Sequence, residues 1–432
     1  MNGRSPIAPR VQAAALSNGA PVYLLENHAG ATLDIVALLD GGLTIEPARR
    51  AGVAALTFDM LDRGTRRRDE WALAEALEGH GARLRYDVAR ETAVARARAL
   101  SEDEALLIEL LGETLREPSF PEDALRRARE ETLVGLREAA ADTFEQAYRR
   151  AAALLLGADH AYAREPDGEE AIVAALAREE LVEHHARAVG GARLTLAVVG
   201  DIDPRRTLAL LEASLGPIGR GAEAGEPAAA AAELAGPSDP AATGRGIVSA
   251  RVPIPDKAQV DLVFMRPGVA RTDPRFDAAA LANFLLGGSF VSRLNQRLRD
   301  REGMTYGAES GIVSGRQPGC WFAAAGVEPD RVDRAAEIVR EELRRFIEQG
   351  VGDDELARAK SHLAGSFPLR LETNQAVAAA LLDCLRHGRD LETIDRYPER
   401  IAALTRAQVE AAGRELIDPD ELVIVAAGAC PA

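Results

Sequence analysis

Apolar residues follow two periods along this chain. In residues 21–25, 33–38 and 259–264, apolar and polar positions mix as they do in half-buried strands. Elsewhere the spacing is helical: Leu106, Leu107, Leu110, Leu111 and Leu115 form one stripe, and Ala336, Val339, Leu343 and Phe346 another. Strongly apolar runs at 194–199 and 422–426 read as the strands that end each half. Between the halves, residues 219–246 carry small residues, prolines and glycines with no periodic apolar face, which reads as an inter-domain linker. The expected division is a domain over 11–218, a linker over 219–246 and a second domain over 247–432. Strands grouped together with segregated helices predict an α+β fold rather than a doubly wound parallel sheet. The expected form is two α/β-sandwich domains, each a mostly antiparallel sheet with helices packed on it.

The two halves also resemble each other. The heptamer from Ala55 to Leu61 aligns with Ala280 to Leu286, and Asp123 to Arg129 aligns with Asp354 to Lys360. Order is kept and spacing nearly so. Either match alone is weak, because alanine-rich helices coincide by chance; together, on either side of a linker, they predict a duplicated domain.

Length and charge narrow the function classes. A chain of 432 residues suits two domains rather than one core. Its net charge of -16 makes nucleic acid and anionic membrane poor partners. Three cysteines, Cys320, Cys384 and Cys430, give neither a disulfide framework nor a cysteine-held metal. No run of eighteen apolar residues spans a membrane. The opening residues Met1 to Pro6 lack the apolar core of an export signal, so cytoplasm, or periplasm after removal of a signal, both stay open.

The search for catalytic chemistry returns mostly absences. There is no P-loop, no dinucleotide-binding glycine fingerprint and no nucleophile elbow. Gly287-Gly288-Ser289-Phe290 reads as a tight turn. None of the seven histidines forms an H-E-x-x-H or H-x-x-E-H pair. His184 and His185 are adjacent on a helix and point about 100° apart, so both do not bind one metal; an exposed or capping role is expected of them.

One segment has a recognisable frame. Gly52-Val53-Ala54-Ala55-Leu56-Thr57-Phe58-Asp59-Met60-Leu61-Asp62-Arg63-Gly64-Thr65 resembles the zinc-site helix of the pitrilysin/insulinase peptidases, G-[LV]-A-H-x-x-E-H-x-L-x-x-G-T. Gly52, Ala54, Leu61, Gly64 and Thr65 match. Ala55 stands for the first histidine, Phe58 for the glutamate base and Asp59 for the second histidine. Two histidines at i and i+4 hold zinc on one helical face, and the glutamate takes a proton from its water. Alanine and phenylalanine ligate nothing, and one aspartate does not hold zinc against water. The family's remaining glutamate ligand would fall near Gly135 to Glu138, where Glu138 is more simply a solvated helix residue. No metal site is therefore expected in this chain.

A second segment, Ser289 to Gly307, resembles the signature of the family's C-terminal domain, F-x-S-R-L-x-x-x-L-R-E-x-x-G-L-x-Y. In active members its arginine and tyrosine reach across a clamshell to the zinc site. The matching residues are Arg299 and Tyr306. The plainer alternative is a surface salt bridge for Arg299 and a half-buried strand aromatic for Tyr306. Arg293, Arg297 and Arg301 read as surface or packing residues. The resemblance runs from about Val11 to Gly428 and departs at the metal helix.

The resemblance implies a non-catalytic subunit of a heterodimeric zinc metallopeptidase. A homologous zinc-bearing partner would supply H-x-x-E-H, this chain would add Arg299 and Tyr306, and a peptide would be the substrate. On this reading the chain has no activity alone. The alternative is a structural or peptide-binding subunit without catalysis, like the core proteins of respiratory complexes.

Overall fold

In the computed structural model, which describes residues 6–221 and 246–430, two sheets are laid down with the same topology. The first contains β1 (Gln12–Ala15), β2 (Pro21–Glu26), β3 (Thr32–Asp40), β4 (Arg83–Val88), β5 (Thr92–Leu100) and β6 (Leu194–Gly200), in the order β1-β2-β6-β3-β5-β4. The second contains β7 (Val248–Pro253), β8 (Val260–Pro267), β9 (Ala308–Ser314), β10 (Pro318–Val327) and β11 (Val423–Gly428), in the order β7-β11-β8-β10-β9. In each, the last strand of the half pairs parallel with an early one (β6 with β2, β11 with β7), and the other ladders are antiparallel. Apart from the extra β1, the sheets correspond strand for strand in order and pairing direction. That is the α+β duplication the internal repeat predicts, and both repeated heptamers lie in helices or at their ends.

The compact units are not contiguous in sequence. One takes residues 6–136, 165–221 and 368–395, and the other takes 137–164, 246–367 and 396–430. Most of the expected linker, residues 222–245, lies outside the described residues.

Helix packing explains the interleaving and corrects one strand reading. In the first unit, α1 (Val53–Asp59), α2 (Glu70–Glu78), α3 (Glu104–Arg116), α4 (Glu122–Ala140), α5 (Arg178–Ala188) and α6 (Pro204–Leu215) belong to the first half of the chain. The core beneath them collects Leu33, Ile35, Ala37 and Leu39 from one face of β3 with Leu107, Leu111 and Leu115 of α3. The opposite face of β3 is covered by helix Asn374–Arg386, which packs on β3 and β6. Hence β3 is buried at every position from Leu33 to Leu39, not half-buried as its pattern suggested. In the second unit, helix Thr143–Leu156 does the reciprocal work. Its Ala147, Ala151 and Ala152 pack against Val263, Met265, Val423 and Val425 of β8 and β11. Each fully buried aliphatic side chain in such a layer stabilises by roughly 1.5–3 kcal/mol. Alanine on these helices lets the backbones lie close to the sheets.

Candidate functional site

The degenerate metal helix keeps its frame for reasons visible in its packing. Gly52 caps α1 at φ 95°, and a Cβ there would meet Val173 Cγ2 at 2.7 Å and the Asp167 carbonyl oxygen at 2.8 Å. Ala54 and Leu61 are fully buried. The Glu46 carboxylate, itself buried, accepts from the backbone N–H of Ala54 (2.9 Å) and Gly52 (3.2 Å), filling the role of an N-cap side chain. Thr65 Oγ1 donates to the buried carboxylate of Glu113, which also takes the guanidinium of Arg68, and accepts from Arg68 N at 2.9 Å. The matched residues of the motif therefore hold the helix.

The residues that would do chemistry have been recruited elsewhere. Phe58 is 2% exposed, belongs to the main core and lies 6.3 Å from the Tyr86 ring between centroids. Ala55 offers no donor atom. Asp59 is ion-paired with Arg63 at 3.1 Å, and the same Arg63 Nη2 reaches Glu131 of α4 at 2.7 Å. A guanidinium thus joins the two helices on which the resemblance places metal ligands. Burial raises the Asp59 carboxyl and the Arg63 charge pulls it back. Neighbouring Asp62 is pushed up to about 6 by burial first and by the Asp59 charge second. Glu138 is exposed near the end of α4. No group of three or more His, Cys, Asp or Glu among the described residues is arranged to hold a metal. The donor set does not fit zinc, because one histidine position lacks a donor atom and the other is a carboxylate already paired with a cation, while the position of the base is core hydrocarbon.

The adjacent histidines differ from expectation. His185 Nε2 donates to the Leu115 carbonyl at 2.8 Å. His184 is 3% exposed, and neither ring nitrogen has a partner among the described residues. Burial, followed by the Arg187 charge, pushes His184 down to about 4. With the folded value below the ordinary 6.5, the unfolded chain takes up this proton first, so stability present above pH 6.5 is lost as pH falls toward 4. At most about 3 kcal/mol is at stake. The expected outcome is that His184→Leu flattens the acid side of the thermal-midpoint profile between pH 6.5 and 4; an unchanged slope would remove His184 as its cause.

The second motif builds a different local structure. After β8, helix α7 (Phe276–Leu286) ends at Gly287, where a Cβ would lie 2.5 Å from Ser310 Oγ. Asn283 on α7 accepts from Trp321 Nε1 (2.9 Å) and Ser310 Oγ (2.7 Å), tying this helix end to β9 and β10. The chain then turns through Gly288 to Ser292 and enters a short helix at Arg293 whose second part, Gln296–Arg301, is a π-helix. Such wide turns are rare and gather at functional sites. Gly303, at φ 61°, ends it with its N–H bonded to the Arg299 carbonyl at 3.1 Å.

Arg299 sits in this wide turn. Its guanidinium carbon lies 4.3 Å from the Phe290 ring centroid, and its buried Nη1 meets no hydrogen-bond acceptor among the described residues. Tyr306 follows in the connection to β9 and is 97% exposed. Its position is fixed from below. Asn295 donates to the Ala308 carbonyl (2.6 Å) and accepts from its N–H (2.9 Å), while Thr305 Oγ1 donates to the Gly307 carbonyl (2.7 Å). The plainer alternative is not what forms: Arg299 has no carboxylate partner among the described residues, and Tyr306 is neither in a strand nor half-buried. Arg293 and Arg297 do have structural partners. Arg293 grips Glu355 bidentately at 2.8 and 2.7 Å, and Arg297 pairs with Glu302 and Glu341. The Phe290 stack, the Asn295 clamp and the Glu46 cap join residues close in sequence, but no helical or strand period pairs them, so spacing alone does not reveal them.

Comparison with known proteins finds one family across both halves of the chain. A family model described as insulinase (peptidase family M16) matches residues 22–154, and one described as peptidase M16 inactive domain matches residues 175–363. An uncharacterized zinc protease of Streptomyces coelicolor is 27% identical over 359 residues, 83% of this chain and 76% of that protein. The non-peptidase homolog YmxG of Helicobacter pylori is 26% identical over 357 residues, 82% of this chain and 79% of that one. The crystal structure of a peptidase M16 inactive domain from Pseudomonas fluorescens has a TM-score of 0.88 at 25% identity, covering 98% of both chains.

Proposed function

We propose that this chain, which belongs to the insulinase family of peptidases (family M16) as one of its inactive members, is the non-catalytic subunit of a heterodimeric zinc metallopeptidase and lends Arg299 and Tyr306 to the active site of a homologous, zinc-bearing partner. The observation that carries the reading is the pair itself. A rigidly supported, 97% exposed tyrosine and an arginine with an unsatisfied buried nitrogen are both left without a polar partner among the described residues of their own chain.

A buried donor left unmade costs roughly 1–3 kcal/mol, so such a group persists where another molecule completes it. Hydrolysis of a peptide bond builds negative charge on the carbonyl oxygen. The Tyr306 hydroxyl and the Arg299 guanidinium are donors suited to that oxygen, and the guanidinium also suits the peptide backbone. Zinc, held by the partner, would polarise the carbonyl and activate water. The Phe290 face orients Arg299 without neutralising it, since a ring attracts a cation and removes no charge.

The test is co-purification of this chain at native level, followed by a peptidase assay with and without chelator. The expected results are a co-purifying homologue bearing H-x-x-E-H, chelator-sensitive hydrolysis by the pair and none by this chain alone. Metal analysis of the isolated chain should find no stoichiometric zinc. A chain that stays alone at native level, or an equally active partner without it, would leave only the structural or peptide-binding role.

A further inference from the structure

We infer that the second unit carries a binding groove for acidic peptide segments, lined by neither Arg299 nor Tyr306 but sharing Phe290 with the Arg299 stack. It lies among α7, the Arg293–Arg301 turn, and α8 (Val332–Gln349) and α9 (Asp353–Ser366), and encloses about 740 Å³. Five arginines line it against two carboxylates, Glu342 and Glu355, in a chain whose net charge is -16. Glu355 is taken up by Arg293, and Arg297 is neutralised by Glu302 and Glu341. Arg301 and Arg358 are exposed and make no ion pair or hydrogen bond among the described residues, and Arg345 touches only Glu342, at 3.4 Å. Three under-used guanidinium forks therefore face one concavity.

An excess of positive charge at one groove of an acidic protein requires a reason, because guanidinia that repel each other across a cleft raise the energy of the free chain. Carboxylates supply the matching geometry, each accepting two parallel N–H donors from an arginine. The groove also has an apolar lip. Phe290 and Val291 are 70% and 72% exposed, and inside the groove Phe284 stacks on His362 with ring centroids 5.2 Å apart. Acidic side chains on the arginines and an apolar one on the Phe290–Val291 lip describe an extended peptide with interspersed Asp or Glu and Leu or Phe. Nucleic acid fits less well, since beyond the groove its phosphates would meet the negative remainder of the surface. This inference needs no partner subunit and stands or falls apart from the shared active site.

The experiment uses the full chain alone and a fluorescein-labelled twelve-residue peptide of alternating Asp or Glu with Leu or Phe, read by anisotropy. The expected result is saturable binding, weakened at least about tenfold in the double variant R301E/R358E and weakened by raising salt from about 50 to 500 mM. Both arginines are exposed, so the variant should fold; its circular dichroism and melting curve check this. The control R126E, in the first unit, should bind as the parent does. Absence of binding, equal binding of a peptide with lysine in place of the acids, indifference to R301E/R358E, or tighter binding of a single-stranded RNA at the same groove would each overturn the inference.

Discussion

In the reconstituted pair, Tyr306→Phe lowers the turnover number by about ten- to a thousandfold, the scale for losing one oxyanion donor. The Michaelis constant moves much less, because the hydroxyl acts on charge that develops only in the transition state. The substitution is unusually clean. The ring is retained, Tyr306 is 97% exposed, and its segment is fixed by Asn295 and Thr305 rather than by its own hydroxyl. The thermal midpoint of this chain should therefore stay within about a degree, since exposed substitutions away from special contacts change stability by only about 0.5 kcal/mol. A merely structural role predicts the reverse, a shifted midpoint and an unchanged turnover. Equal turnover in the two complexes would remove Tyr306 from the mechanism, even if the subunits still pair.

Much of this fold was legible in the sequence because burial imposes periodicity. The apolar stripe of Leu107, Leu111 and Leu115 marks α3, and the repeated heptamers mark a duplication that the two sheets repeat strand for strand. The continuous burial of β3 was not legible. It depends on helix Asn374–Arg386, more than three hundred residues away, and a local pattern records how often a side chain is buried without recording what covers it. The site divides in the same way. Loss of metal chemistry is written at Ala55, Phe58 and Asp59, since residue type alone settles ligation. The redirection of Asp59 to Arg63 and Glu131 needs coordinates, because α1 and α4 meet only in three dimensions. Likewise, Arg299 and Tyr306 are visible as a motif, while the π-helix, the Phe290 stack and the Asn295 clamp that present them are local but follow no regular period, so they need coordinates to be seen.

Rebuilding the motif with Ala55→His, Phe58→Glu and Asp59→His should cost stability without creating a tight zinc site. Most of the loss comes from position 58. Removing a fully buried phenylalanine ring costs about 3–5 kcal/mol in packing, and a glutamate in its place must either be neutralised or bury a charge. Phe58 packs in the hydrophobic core on Tyr86, whose own hydroxyl is pushed well above its ordinary range by burial. The histidine at 59 meets a second obstacle. Arg63 already stands between that position and Glu131, and its fixed positive charge opposes a divalent cation at short range. The single variant Phe58→Glu should carry nearly the whole fall in thermal midpoint, several degrees, while Asp59→His alone shifts it little because Asp59 is half-exposed and its ion pair is worth about 1 kcal/mol or less. Adding Arg63→Ala to the triple variant removes the competing cation and tests the two obstacles separately. Stoichiometric, chelator-resistant zinc in the triple variant, with an unchanged midpoint, would mean that the helix is still a metal site in waiting and that its core has not been rebuilt around Phe58.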